Sequence, residues 1–177
     1  VTTLPGAPTD LQEVYFQTTA MAAQNVVWHM KYFTSIGNWI YLGGAPLMKL
    51  VTNVVQRHSV GDNTWMSLTP GNPCELTLTI AGTYDFSYTA SGQEVDNANA
   101  TADARVALFD DGTQATFDTD AWARPVGNYM KWNLASQTRI PVSANSVIAL
   151  KGKINSGSWN SYGWCSAFLR AVPVTLG

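Results

Sequence analysis

Two histidines, His29 and His58, and a scatter of loop acids are the residues whose types lend themselves to chemistry in this chain. A Ser–His mechanism would have to rest on one of those imidazoles. His58 lies in "VVQRHSV", where strand alternation groups it with Val54 and Gln56 and turns Ser59 to the opposite face, so the neighbours form no dyad. No G-x-S-x-G elbow positions a serine, and no G-x-x-x-x-G-K-[ST] or G-x-G-x-x-G loop cradles phosphate. Acid pairs occur at Asp110 and Asp111, Asp118 and Asp120, and Asp96 and Asp103. "FDDG" reads as a hairpin turn, and the other pairs lack the fixed spacing of a calcium loop. All are read as solvated loop acids. A glycosidase needs two carboxylates facing across a cleft, which spacing alone does not define. The chain is therefore expected not to be an enzyme, with no catalytic residue, no metal site and no cofactor.

Aromatics are the remaining chemical lead. Trp122, Tyr129 and Trp132 fall in "DAWARPVGNYMKW", and Trp159, Tyr162 and Trp164 in "GSWNSYGW". Exposed rings on loops make sugar-stacking platforms or hot spots for a protein partner, whereas buried ones fill a core or a subunit contact. Trp132 and Trp164, flanked by strand residues, are read as filling. Trp159, Tyr162, Trp122 and Tyr129 are the candidate surface-recognition residues.

His29 sits in "NVVWHMKYFTSIGNWIYLGG". Alternation places Val26, Trp28, Met30 and Tyr32 on one face of a strand and Val27, His29, Lys31 and Phe33 on the other. His29 beside Lys31 reads as a solvated residue, not a ligand. "WIYLGG" is the next strand, with Trp39 and Tyr41 on one side, and "EVYFQTT" supplies another from Glu13 to Thr19. Together they predict a small antiparallel meander. "TTAMAAQN", Thr18 to Asn25, is read as the loop inside it.

Further along, short strands alternate with turn signals. "CELTLTI" sets Leu76, Leu78 and Ile80 against Glu75, Thr77 and Thr79, and "AGTYDFSYTASG" sets Tyr84, Phe86 and Tyr88 against Asp85, Ser87 and Thr89. "ARVALFDDGTQ" is a strand, a tight turn and a return. "SGQEVDNANATAD", Ser91 to Asp103, reads as an exposed connection. This spacing, without a convincing helix, predicts an all-β sandwich or barrel.

Composition narrows the partners. Only 12% of the 177 residues are charged, about half the usual share of roughly 25%. The formal net charge is −2 and the ten basic residues form no run, so nucleic acid is not an expected partner. No apolar run approaches the roughly 20 residues of a membrane span, so insertion is not expected. Cys74 and Cys165 lie in apolar strand-like contexts and are read as buried free thiols; a bridge requires their strands to be neighbours.

Two family resemblances follow from these motifs. The first 47 residues resemble a segment recurrent in structural proteins of tailed bacteriophages, particularly minor tail and fibre proteins. The matching residues are Pro8-Thr9-Asp10, Gln12 to Phe16, Val26 to His29, Lys31-Tyr32, Trp39, Tyr41, Gly43-Gly44 and Pro46-Leu47. Leu11 stands where that pattern more often has Gly. "AGTYDFSYTA", "ARVALFDDG" and the late "SVIALKG…AFLRAVPV" are similar to the jelly roll of C1q- and TNF-like domains, a fold that recurs in phage fibre heads and decoration proteins as trimers. The resemblances imply an arm at 1–10, a β-meander attachment segment at 11–47 and a jelly-roll β-sandwich at 48–177. They also imply a virion structural protein on the tail or fibre, assembled in the host cytoplasm as a homotrimer with other virion proteins as partners, and they make His29 architecture. A capsid decoration or head-fibre protein is the alternative within that class. A carbohydrate-binding module or glycan-cleaving enzyme, acting on a host cell-surface glycan, is the alternative outside it.

Overall fold

The computed structural model describes residues 1–58, 64–68, 71–94, 102–116, 119–123, 131–156 and 162–177, without the side chains of 53–58, 93–94, 102–103, 119–123, 131–132, 154–156 and 162–164. The order begins β1 (Glu13–Phe16), α1 (Thr19–Ala22), β2 (Trp28–Phe33), β3 (Asn38–Gly44) and β4 (Leu47–His58). It continues with β5 (Met66–Ser67), β6 (Glu75–Leu78), β7 (Gly82–Glu94), β8 (Ala102–Asp110) and β9 (Thr113–Gln114). Last come β10 (Thr119–Ala123), β11 (Lys131–Val142), β12 (Ser146–Ser156) and β13 (Tyr162–Leu176).

Alternation builds the sandwich. Tyr84, Phe86, Tyr88 and Ala90 of β7, Val106 and Leu108 of β8, and Ala167, Leu169 and Ala171 of β13 are all buried in one core, while the residues between them on each strand face away. Each large side chain withdrawn from water contributes about 1.5–3 kcal/mol. Two antiparallel sheets enclose that core. Sheet A runs β1-β2-β3-β13-β7-β11, with β4 also on β13, and sheet B runs β10-β8-β12-β5, with β6 on β12 and β9 on β8. Taking β5 and β6 as one interrupted strand, the eight sandwich strands are ordered 1-8-3-6 and 5-4-7-2. This is a jelly-roll order, the fold that the resemblance implies.

The meander is joined to this sandwich at β13. There β3 and β4 lie in tandem on one edge: β4 opposes Tyr162 to Ala171, and β3 opposes Thr175 and Leu176. Phe16, Trp28, Met30 and Trp39 are buried in the same core as the sandwich residues, and the Trp28 ring lies 6.3 Å from that of Tyr84. Trp28 Nε1 donates to the Ala45 carbonyl at 3.0 Å, tying the meander to the start of β4.

Local sequence sets three details that alternation does not show. β1 stops at Phe16 instead of Thr19, because Thr18 caps a helical turn: its Oγ1 accepts from Met21 N at 3.2 Å. The stretch expected as plain loop thus holds α1, and Asn25, with φ +55°, ends the turn. The exposed connection expected from Ser91 to Asp103 is shorter, since β7 runs on to Glu94 and β8 begins at Ala102. "DDGT" is the expected tight hairpin: Asp111 and Gly112 both have positive φ, 47° and 85°, as a type I′ turn requires.

Candidate interaction face

The polar alternates of β7, β11 and β13 and the outward residues of β4 form one continuous face of sheet A. Register aligns them in rows across four strands. Leu50, Phe168, Thr89 and Ala135 make one row, and Met48, Arg170, Ser87 and Gln137 the next. Thr52, Ser166, Ser91 and Asn133 lie above, where Ser91 Oγ and Ser166 Oγ are 2.6 Å apart. Val172, Asp85 and Arg139 lie below. An open hollow of about 620 Å³ is lined there by Asp85, Ser87, Gln137, Arg139, Arg170 and Val172.

This face is apolar where a solvated strand would not be. Leu50 is 63% exposed and Met48 48%, and Leu42 and Tyr15 extend the exposed apolar set across the meander side of the sheet. Among the described residues these are four of the eight exposed large hydrophobics, gathered on one face. Charge on the sandwich part is nearly cancelled. Arg139 donates to both oxygens of Asp85, Nε to Oδ1 at 2.6 Å and Nη2 to Oδ2 at 2.8 Å, leaving Arg170 as the remaining charge in these rows. The Arg139 hydrogen bonds hold the Asp85 carboxyl below its ordinary range and raise the guanidinium in return.

The sequence signal for this face is present but easily passed over. "LMKLV" places Leu47 and Val51 in the core and Met48 and Leu50 outside. A strand apolar on both faces, with its outer apolar residues exposed, marks a surface that something covers.

The four candidate recognition residues have no described side chains. Trp159 and Tyr129 lie outside the described residues. Trp122 stands opposite Asp103 in the β10–β8 register, and Tyr162 opens β13 opposite Glu94 and His58, but their side chains are not among those described. The side chains of Trp132, Trp164, His58, Asp103 and Asp120 are outside the described set as well, as are Asp96 and Asp118. Asp111 serves the turn, its Oδ1 accepting from Val147 N at 2.9 Å. His29 differs from the solvated residue expected: it is part-buried, stacked on Tyr15 and bonded to Glu13, because the two strands bring all three to one side.

The remaining chemistry is quiet. Cys74 is a buried free thiol, as expected, and burial pushes it up to about 12; Cys165 is half-buried, not buried as expected. Among the described residues no three His, Cys, Asp or Glu side chains gather as a metal site, and no helix is long and apolar enough to cross a membrane.

No protein-family model matches the chain, and no curated protein matches it. Among solved structures it is similar to the Eiger TNF from S. frugiperda, with a TM-score of 0.42 and 9% identity over 73% of this chain and 92% of that one.

Proposed function

We propose that the chain is a non-enzymatic structural protein of a tailed-phage virion, carried on the tail or fibre and contributing to host attachment or particle stability as a homotrimer. The observation that carries the assembly reading is the band of exposed Leu50 and Met48 beside half-buried Phe168, on a face whose charges nearly cancel. Subunit contacts favour such a surface, with apolar residues and Met at the centre and charge depleted. Four strands about 4.8 Å apart and four rows about 6.7 Å apart make a patch of roughly 500 Å². That is less than the roughly 800 Å² each partner gives a standard interface. A two-fold dimer through this face alone is therefore undersized, whereas each subunit of a closed ring presents two different patches and needs only one of them here.

The virion part of the reading rests on the N-terminal segment. Its pattern residues have structural work: Phe16, Trp28 and Trp39 are buried, and Gly44 takes a backbone conformation open to glycine. Mass spectrometry of purified particles tests it, and absence of the chain from them would overturn the location. Sedimentation equilibrium of the isolated chain tests the assembly. The expected result is three times the chain mass, and a folded monomer at micromolar concentration overturns it.

A further inference from the structure

The outermost strands of sheet A hold a cluster outside the core and beyond the four-strand assembly patch, at the meander end of the same face. Tyr15 of β1 and His29 of β2 are cross-strand partners, and their rings stack with centroids 4.8 Å apart and planes 17° from parallel. Tyr15 is nonetheless 67% exposed, the highest value among the exposed large hydrophobics described, so its other ring face is open to solvent. Glu13, two residues earlier on β1 and therefore on the same side, receives His29 Nε2 on Oε2 at 2.9 Å and Lys31 Nζ on Oε1 at 3.0 Å. A carboxylate only accepts, so Nε2 carries the proton and donates. Each Glu13 oxygen keeps acceptor capacity beyond the bond it already takes. The Lys31 and His29 hydrogen bonds hold the Glu13 carboxyl below its ordinary range, keeping it ionised at neutral pH.

We infer that Tyr15 and Glu13 form a binding site for a neutral pyranose sugar, the C–H face of the ring lying on Tyr15 and adjacent hydroxyls donating to the Glu13 carboxylate. An aromatic plate beside a fixed pair of acceptors matches a ring with one apolar face and a polar rim. Charge selects the neutral sugar. Lys31 offsets Glu13, an acidic sugar meets the carboxylate as a like charge, and a cationic one meets Lys31. The site is also preorganised, because the Glu13 bonds and the ring stack fix the side chains before a ligand arrives. β1 lies three strands beyond β13, about 14 Å away, so a neighbour seated on Leu50 and Phe168 leaves Tyr15 uncovered.

The inference does not depend on the virion reading, since the isolated full chain is the reagent. Saturation-transfer and chemical-shift NMR titrations would use the methyl glycosides of glucose, galactose, mannose and N-acetylglucosamine, with glucuronate as the charged comparison. Saturable binding to at least one neutral glycoside is expected, with a dissociation constant on the order of millimolar. Tyr15→Ala weakens it by about tenfold or more, Glu13→Gln by several-fold, and Tyr15→Phe leaves it nearly unchanged. Both residues are exposed and their cross-strand contacts are worth at most about 1 kcal/mol each, so each variant keeps a cooperative melt within several degrees of wild type, which serves as the fold control. The inference is overturned by no saturable response to any neutral glycoside, by binding indifferent to Tyr15→Ala, or by preference for glucuronate.

Discussion

Gly44 ends β3 with φ +130°, and a methyl group there would lie 2.2 Å from the Val27 carbonyl oxygen. Gly44→Ala therefore meets both a backbone penalty and a clash, and is expected to destabilise the fold by about 1–3 kcal/mol. Gly43→Ala, with nothing within 4 Å of the added carbon, is expected to cost much less. Urea midpoints of the two variants make the comparison. Tyr84 is the second test at this scale. Its buried hydroxyl donates to the Ile80 carbonyl at 2.8 Å, and burial raises its pKa. Tyr84→Phe removes that donor and leaves the carbonyl unpaired, at an expected cost of about 1 kcal/mol by the same assay. Cys74 gives a chemical readout. With its thiol near 12, it holds almost no thiolate at pH 8, so iodoacetamide should label it only after denaturation. Labelling of Cys74 in the folded protein, mapped by mass spectrometry, would contradict the burial described.

Between neighbouring strands, the Asp85–Arg139 pair across β7 and β11 makes stability depend on acid. Its hydrogen bonds depress the folded-state pKa of Asp85 below the unfolded value of about 3.9. The pair therefore supports the fold above that value, and its contribution fades as pH falls through the lower folded value. Asp85→Asn is expected to flatten the acid limb of urea midpoint against pH and to leave the difference between pH 6 and pH 8 unchanged. The strands that carry these pairs were readable in advance where one face is core and the other water. "CELTLTI" and "AGTYDFSYTASG" each declare their buried side, and Leu76, Leu78, Tyr84, Phe86 and Tyr88 are buried accordingly. Strand ends were not readable. The Thr18 cap depends on a side-chain bond to Met21, and β7 extends past Ser91 because β11 and β13 flank it on both sides. Pairing order was not readable from periodicity either, since it is a property of distant segments. The candidate face was missed for a similar reason: Leu50 and Phe168 are far apart in sequence and meet only through the β4–β13 register.

For the whole molecule, the sharpest consequence of the assembly reading is that one exposed leucine decides the mass of the particle. Leu50 lies in one of the two inner rows of the patch, on its edge strand β4, and contributes little to the core. Leu50→Glu is expected to leave the monomer fold intact by circular dichroism and to shift sedimentation equilibrium from trimer to monomer, because a charge placed within a contact must be desolvated. A Leu50→Glu protein that stays trimeric would place the contact elsewhere. The combination of 12% charged residues with seven Trp and seven Tyr makes sense on this view, since a surface that is to be covered does not need charges to remain dispersed.

The place of β13 in sheet A also has a meaning in time. It follows every other described strand in the sequence, yet it occupies the middle of the sheet, between β7 on one side and β3 and β4 on the other. On the ribosome, the half-sheets β7–β11 and β1–β2–β3 are made first and wait, each with an unpaired edge, until residues 162–176 have emerged. Sheet A is then closed in a single late event by contacts of long sequence separation, a slow class of folding step. Loss of the final strand by premature termination would remove the centre of the sheet, not its margin. The nascent product would be two sticky fragments on one chain, fit for a chaperone or a protease.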